Sequence, residues 1–273
     1  MWEMEGFRAY LLEEEKSPLT VEKYLRDVGA FRGWLDGREL SKGEVLAFKN
    51  WLVERYAVAS VNSMLSSVNC YLTFLGRGEC RVKTLKTQRQ TFCSEDRELS
   101  KTEYRRLLRA AQKNDQLWLL LQTLGATGIR VSEHRFITVE ALKQGAATVR
   151  SKGKTRTIFI PKKLCKYLLS YSKKQRIRTG AVFLSSRGTP LDRSRIWAMM
   201  KSLCASAGVS EKKVFPHNLR HLFARMFYAM ERDIVRLADI LGHSSVNTTR
   251  IYTAETGETH RKQIEKMSLL FLT

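Results

Sequence analysis

The stretch PHNLRHLFARMF, residues 216–227, combines an apolar helical pattern with titratable side chains. Its apolar residues recur every three or four positions, which predicts a helix with one buried stripe. His217 and Arg220 are three positions apart and are expected on another edge of that helix, whereas His221 lies beside the stripe and is interpreted as structural. A neutral imidazole accepts a proton and a guanidinium holds phosphate oxygens with paired donors, so this edge is a candidate phosphate site. The predicted stripe consists of Leu219, Leu222, Phe223, Met226 and Phe227.

The stretch LADILGHSSVNTTRIY, residues 237–252, carries two further candidates. Its pattern predicts one helix that ends at Gly242 and a second helix capped by a serine, with His243 at the junction. Tyr252 follows in the same stretch. A tyrosine phenol titrates at about 10 and is mostly protonated in the cell, so Tyr252 needs cationic neighbours to act as a nucleophile.

The stretch TGIRVSE, residues 127–133, adds an arginine and a carboxylate. Gly128 is predicted to end one helix, and Arg130 is predicted to lie in the first turn of the next. The backbone N–H groups of a helix N-terminus and a guanidinium together favour a bound phosphate. Glu133, about one turn later, is placed to brace Arg130.

Residues 146–160 predict two short strands, because they are rich in β-branched residues, contain a turn at Gly153 and are followed by Pro161. Lys152 and Lys154 flank that turn. The rest of the C-terminal two-thirds of the chain alternates predicted helices with short loops. A capping-box pattern of Ser and Glu at positions 100 and 103 opens the first of them, predicted at 104–112.

The first quarter of the chain predicts four amphipathic helices. One lies before Ser17, the second ends at Gly37, the third follows Ser41 and the fourth begins at Ser60. One face of the fourth helix is small and uncharged, which suits either a close approach to DNA or contact with another helix. The residues of that face are Ser63, Ser66, Ser67, Cys70 and Thr73.

The charge of the chain is unevenly distributed. Its 273 residues are enough for two ordinary domains, and the formal net charge is +21. Residues 1–97 hold 15 Lys and Arg against 14 Asp and Glu, whereas residues 98–273 hold 33 against 13. Because so strong a positive field attracts a polyanion, the sequence predicts binding to nucleic acid.

The apolar periodicity disappears between Gly76 and Arg97, where basic residues dominate. The predicted domains are therefore residues 1–88 and 98–273, joined by a basic linker at 89–97. Cations of this region are expected to contact a phosphate backbone that the linker crosses. The predicted DNA contacts are Arg77, Arg81, Lys83, Lys86, Arg89 and, on the hairpin, Lys154.

Several classes of protein are disfavoured. The longest uncharged run, residues 56–76, contains too many Ser and Asn to be a membrane span, and the acidic N-terminus differs from a signal peptide. Five cysteines without a C-x-x-C pair favour reduced thiols over a disulfide framework or a zinc site. The expectation is a cytoplasmic globular protein without a metal.

Taken in order, these motifs resemble the tyrosine recombinases, the integrase and Xer class of site-specific DNA recombinases. The likeness rests on T-G-I-R-x-S-E, S-K-G-K, H-N-L-R-H and L-G-H-S-S-x-x-T-T-x-x-Y, and covers residues 98–254. It implies a mainly α fold. An N-terminal four-helix, SAM-like domain that binds the core site would precede an α+β catalytic domain with a small β-hairpin.

The resemblance also implies the chemistry. Tyr252 would attack the scissile phosphate, which forms a 3′-phosphotyrosyl bond and releases a 5′-hydroxyl. Arg130 and Arg220 would clamp the non-bridging oxygens and stabilise the transition state. His217 would be the general base or a hydrogen-bond partner, and His243 a further phosphate donor.

A lysine of the hairpin would protonate the leaving oxygen. Lys152 fits the family's position better than Lys154, and both stay open. The phosphotyrosyl bond conserves the bond energy, so the family needs neither ATP nor a metal, and no cofactor is expected. A homotetramer on two paired DNA sites is implied, with the apolar segment 267–272 either donated to a neighbour or folded back on its own domain. Integration, excision, inversion and dimer resolution all stay open.

Two other functions remain. Residues 233–252 also fit a helix-turn-helix, and a DNA-binding regulator built on it would leave DNA intact. A type IB topoisomerase-like relaxase would share the tyrosine nucleophile but would relax supercoils without a specific site.

Overall fold

The computed structural model describes residues 3–86, 97–151, 154–243 and 245–250; of Ser151 and Lys154 only the backbone is described. The chain divides into two compact units, residues 1–89 and 90–273. The predicted linker lies almost entirely outside the described residues, so its boundaries stay predictions. None of the described helices is long and apolar enough to cross a membrane.

The described part of the N-terminal unit contains four α-helices, as predicted, followed by a short 3₁₀-helix, Gly78–Cys80. The side chains of Ser17 and Ser41 each accept a hydrogen bond from the first turn of the helix that follows. The predicted start of the fourth helix is wrong by two residues, because this helix begins at Val58 without a side-chain cap and Ser60 lies in its first turn. The helices are α1 (Met4–Glu13), α2 (Pro18–Leu35), α3 (Lys42–Arg55) and α4 (Val58–Phe74).

Aromatic side chains hold this bundle together. Phe7 of α1 contacts Tyr71 of α4 edge-on, with ring centroids 4.9 Å apart. Phe31 of α2 and Phe48 of α3 are also 4.9 Å apart. All four side chains are completely buried, so the bundle is stabilised mainly by the apolar area it removes from water.

The small face of α4 meets the protein's own chain. Ser67 is completely buried, and its hydroxyl donates to Asp27 of α2 at 2.9 Å. Lys23 of α2 donates to the same carboxylate oxygen at 2.6 Å. Of the two alternatives for this face, contact with another helix therefore holds at Ser67.

The segment that follows α4 lies along this helix because two asparagines bind its backbone. The side-chain amide of Asn69 donates to the Val82 carbonyl at 2.8 Å and accepts from the Val82 N–H at 3.0 Å. Asn62, two turns earlier, holds Leu85 in the same way at 3.0 and 2.7 Å. We call these four contacts the asparagine clamp. The exposed cations on the clamped segment are Arg81, Lys83 and Lys86.

The C-terminal unit contains nine described α-helices and an antiparallel hairpin. The capping box at Ser100 is confirmed, since Ser100 Oγ and the Glu103 carboxylate each accept the other residue's N–H, at 3.1 and 2.8 Å. The helices are α5 (Lys101–Ala110), α6 (Asp115–Thr127), α7 (Val139–Gln144), α8 (Lys162–Lys174), α9 (Arg193–Lys201), α10 (Cys204–Ala207), α11 (Pro216–Glu231), α12 (Ile234–Leu241) and α13 (Val246–Thr249).

The hairpin confirms the two predicted strands, β1 (Ala146–Ser151) and β2 (Lys154–Phe159). Ala146 pairs with Phe159 at the open end, and Ser151 pairs with Lys154 at the turn. Because β-strand side chains alternate, Ile158 faces the core and is buried, whereas Phe159 is exposed. The hairpin thus contributes one face to the core of this unit.

Two local predictions are corrected. Arg130 precedes a 3₁₀-helix, Val131–Phe136, instead of lying inside the first turn of an α-helix. The backbone of Arg130 is extended, with φ −69° and ψ 149°, so this residue occupies the position before the first turn. In α11 the predicted stripe is wrong at Met226, which is 37% exposed, while Ala224 and Arg220 are buried. This helix packs against both α6 and α12, so its buried surface is wider than one stripe.

Candidate active site

The carboxyl end of α12 collects three arginines from three different elements. The last carbonyls of a helix have no partner within it and carry partial negative charge. Here the Leu241 carbonyl accepts from Arg220 Nη2 at 2.6 Å, and the Gly242 carbonyl accepts from Arg130 Nη2 at 3.3 Å. The Ile240 carbonyl accepts from Arg156 Nη1. We call these three consecutive carbonyls, 240–242, the arginine-capped turn.

Arg220 is the most deeply buried of the three, with 1% of its surface exposed. Its Nη1 donates to the Gly128 carbonyl at 2.7 Å, so it joins the end of α6 to the end of α12. Gly128 has a φ of +62°, and a side chain there would overlap the ring of Phe223. The carbonyls of Gly128 and Leu241 therefore fix the position of the Arg220 guanidinium from both sides.

Glu133 braces two arginines. This carboxylate is 3% exposed. One oxygen accepts from Arg130 Nη1 at 3.0 Å, and the other accepts from the Arg130 backbone N–H at 2.7 Å and from Arg156 Nη2 at 2.5 Å. Arg130 itself stays 41% exposed at its side chain, so one buried anion orients a guanidinium that solvent reaches.

His243 lies between Arg220 and Thr249. Its Nε2 is 3.0 Å from Arg220 Nη2, and its Nδ1 is 2.8 Å from Thr249 Oγ1. A guanidinium can only donate, so Nε2 accepts and Nδ1 carries the proton donated to Thr249. Burial, and then the charges of Arg220 and Arg130, lower the pKa of His243 to about 4. The imidazole is therefore neutral at neutral pH.

His217 opens α11 near the same cations. Burial and then the charge of Arg220 lower its pKa, with further contributions from Arg130 and Arg193. Its ring lies 4.7 Å from that of His221, edge to face. Burial and the neighbouring His217 lower the pKa of His221 to about 4. A neutral His217 beside two guanidinium groups has the protonation state that a proton acceptor requires.

Three of the other predicted residues, Lys152, Tyr252 and Arg89, lie outside the described residues. Arg77 is engaged locally, since it donates to Glu79 at 2.7 Å and to the Leu40 carbonyl at 3.1 Å. Among the described side chains, no group of His, Cys, Asp and Glu is arranged to hold a metal ion.

Sequence reasoning missed Arg156, and it assigned no role to Thr249 or Arg193. A weak signal for Arg156 exists, because it precedes the buried Ile158 and Ile160 at a spacing of two and so shares the inward face of the hairpin. The contact of Arg156 with α12, 84 positions later, has no local signal.

Comparison with known proteins decides the family. Residues 97–258 match the phage integrase family, and residues 4–79 match the N-terminal SAM-like domain of phage integrases. The chain belongs to the phage integrase family. It is a tyrosine-type site-specific recombinase, an enzyme that cleaves and rejoins DNA. A tyrosine recombinase XerA from Thermococcus kodakarensis is 32% identical over 98% of this chain and 95% of its own length.

Solved structures confirm the fold. The crystal structure of a XerA recombinase superposes with a TM-score of 0.56, at 28% identity and over 98% of both chains. A lambda integrase tetramer bound to a Holliday junction gives a TM-score of 0.71 at 18% identity, over 90% of this chain and 74% of that one. The fold expected from the resemblance, a SAM-like helical domain followed by a catalytic domain with a small hairpin, is confirmed.

Proposed function

We propose that Tyr252 is the nucleophile of this recombinase and that Arg130, Arg220 and His243, gathered at the arginine-capped turn, hold the phosphate it attacks. The phenolic oxygen forms a bond to phosphorus while the bond from phosphorus to the 5′-oxygen breaks. The products are a 3′-phosphotyrosyl ester and a 5′-hydroxyl, whose proton comes from Lys152. The 5′-hydroxyl of a partner strand then attacks the phosphotyrosyl ester and releases Tyr252, so bonds and protons balance over the cycle.

The observation that carries this proposal is the convergence of Arg130, Arg220 and His243 on the end of one helix. These side chains come from positions 130, 220 and 243, and only tertiary folding brings them together. Arg130 is the exposed member and Arg220 the buried member, so a phosphate that reaches the first is drawn towards the second. This is the arrangement that the resemblance assigned to the scissile phosphate.

The charge of the cluster suits the transition state. Three guanidinium groups and the Glu133 carboxylate sum to a charge of about +2 while both histidines are neutral. A phosphodiester carries one negative charge, and the pentacovalent transition state carries a second. Electrostatic stabilisation therefore grows as the reaction proceeds, which lowers the barrier instead of only tightening binding.

The two histidines are assigned different roles. His217, which is neutral, accepts the proton of the Tyr252 phenol. His243 presents an accepting Nε2 to Arg220, so it becomes a phosphate donor only when Nε2 gains a proton. A phosphate dianion favours that proton, which couples proton uptake at His243 to the transition state.

We assign the phosphate contacts of the N-terminal unit to Arg81, Lys83 and Lys86. These cations are exposed on the clamped segment, whose backbone is already ordered by Asn62 and Asn69. An ordered backbone lowers the entropy lost when the side chains bind DNA. Arg89 and Lys154 complete the proposed set, and the bound nucleic acid is double-stranded DNA.

The assembly we propose is a homotetramer on two paired sites. The lambda integrase crystallised with a Holliday junction is a tetramer, which supports the same assembly here. In this chain the apolar run MSLLFL, residues 267–272, suits a helix donated to a neighbouring protomer. Removal of residues 259–273 is expected to leave DNA binding intact and to abolish junction formation.

The test is covalent trapping. A library of nicked duplexes with randomised arms is incubated with the protein, and strands that survive denaturation bound to it are sequenced, which also identifies the target site. Wild type is expected to form the adduct, Tyr252→Phe to bind without forming it, and Tyr167→Phe, an exposed control in α8, to form it normally. Equal trapping by wild type and Tyr252→Phe would refute the nucleophile, and intact DNA throughout would favour a regulator.

A further inference from the structure

We infer that Arg156 is a positioning residue of this active site, which holds Glu133 and the arginine-capped turn at a fixed separation and thereby orients Arg130 and His243. The catalytic part of this inference rests on the proposed function. Its structural part stands on contacts within the C-terminal unit.

Arg156 reaches both groups at once. From the middle of β2, its Nη2 donates to Glu133 at 2.5 Å and its Nη1 donates to the Ile240 carbonyl. The side chain is 13% exposed. The planar guanidinium donates to a carboxylate through one nitrogen and to a carbonyl through the other, which fixes the distance between these two acceptors. The hairpin is thereby tied to the end of α12.

Gly242 is shaped around Arg156. This glycine has a φ of +65°, and a side chain there would overlap Cδ and Nε of Arg156. The stem of Arg156 therefore lies directly against the backbone that precedes His243. Because Gly242 also supplies the carbonyl bound by Arg130, the arginine on β2 and the glycine of the turn act as one support.

Removal of this support affects the catalytic groups indirectly. Without Arg156, Glu133 loses one of the two guanidinium groups that hold it, and the Ile240 carbonyl loses its donor. The end of α12 then keeps two of its three arginine contacts, those of Arg220 and Arg130, so Arg130 and His243 are held less firmly. A misplacement of about 1 Å at a reacting centre costs about 10²-fold in rate, whereas binding of a long duplex depends on many other contacts.

A second explanation is that Arg156 acts only as a positive charge. In that case a lysine would restore function, and loss of the charge would weaken DNA binding. A lysine has a single ammonium group in place of the guanidinium, so it cannot bridge Glu133 and Ile240 as Arg156 does. The two explanations therefore differ in their prediction for Arg156→Lys.

The first test measures single-turnover adduct formation and DNA affinity on the site found by trapping. Arg156→Gln and Arg156→Lys are both expected to slow cleavage by about 10²-fold with affinity within about threefold of wild type. Arg150→Gln, an exposed change on β1 with the same loss of charge, is expected to cleave normally. Rescue by lysine, wild-type cleavage by Arg156→Gln, or an affinity that falls as far as the rate would each overturn the inference.

The pH dependence of the cleavage rate provides a second measurement, which would not change if Arg156 only stabilised the fold. The charge of Arg156 is one of the causes that lower the pKa of His243, after burial, Arg220 and Arg130. His243 donates to the phosphate only when it is protonated, so in Arg156→Gln the alkaline limb of the cleavage rate, where that proton is lost, is expected to shift to higher pH. Arg156→Lys and Arg150→Gln are expected to leave that limb in place, and an unshifted limb in Arg156→Gln would count against the contact.

A second test needs no DNA. Gly242→Ala is expected to lower the melting temperature of the full chain, because the new methyl group overlaps Arg156. In an Arg156→Ala background the overlap is gone, so the same change is expected to cost less than half as many degrees. Equal losses in both backgrounds would refute the packing of Arg156 on Gly242. If the wild type forms no adduct, the proposed function is refuted. The comparison of Gly242→Ala in the two backgrounds would still show whether Arg156 packs on Gly242.

Discussion

Arg130 and Arg220 are proposed to perform the same chemistry, but they differ in burial, and this difference yields a sharp prediction. Arg220 is 1% exposed and fills the space between two helix ends, whereas the side chain of Arg130 is 41% exposed. We expect Arg220→Met and Arg130→Met to slow cleavage alike, because each removes one donor to the transition state, at about 10²–10³-fold in rate. The two substitutions are expected to lower the free energy of unfolding by different amounts.

The magnitude follows from the contacts. Arg220→Met leaves the Gly128 and Leu241 carbonyls buried without their donor, and each such group costs about 1–3 kcal/mol. A loss of about 2–6 kcal/mol is therefore expected. In Arg130→Met, Glu133 keeps Arg156 as its partner, so a loss of about 1 kcal/mol is expected.

The assay is urea unfolding of each full-length variant, beside its rate of adduct formation on the trapping duplex. We expect Arg220→Met and Arg130→Met to differ greatly in unfolding free energy and little in cleavage rate. Equal destabilisation by the two substitutions would show that Arg220 does not bridge α6 and α12. Normal cleavage by a folded Arg130→Met would remove this residue from the phosphate site.

Two further predictions concern stability. His221 and His243 have pKa values of about 4 in the folded chain, below the unfolded value of about 6.5, so the unfolded state binds more protons in that window and stability falls as pH drops from about 6.5 towards 4. With these values His221 accounts for about 2 kcal/mol of the stability lost between pH 7 and pH 5, so in urea titrations His221→Gln should lose about 2 kcal/mol less than wild type over that range. An unchanged loss would contradict the neutral state of His221. Asn69→Leu leaves both backbone groups of Val82 without partners and should lower the free energy of unfolding by about 1–3 kcal/mol. Asn69→Asp keeps the acceptor and should cost less. Proteolysis after Arg81 should be fastest in Asn69→Leu and slowest in wild type, and equal rates would contradict the asparagine clamp.

The elements that sequence predicted well are those with local causes. Ser17, Ser41 and Ser100 cap their helices with their own side chains, so their sequence patterns contain the interaction. The hairpin was predictable because its β-branched residues and its turn signal lie close together in the chain. The start of α4 was missed because no side chain caps it, and Ser60 offered a false signal.

The active site could be assembled from sequence only through its resemblance to a family. Periodicity placed Arg220 on a different edge of α11 from the predicted apolar stripe, whereas the structure buries it. Its burial depends on carbonyls supplied by α6 and α12, which no pattern around position 220 contains. The same holds for Arg156, whose partners lie 23 positions earlier and 84 positions later in the chain.

The central claim is that one phenolic oxygen carries the DNA between cleavage and rejoining. Its most direct measurement is tandem mass spectrometry of the trapped adduct after digestion with protease and nuclease. We predict a nucleotide attached through its 3′-phosphate to the peptide that contains Tyr252, with the mass added at the tyrosine itself. A nucleotide on a serine, a histidine or another tyrosine, or one attached through its 5′-phosphate, would contradict the account.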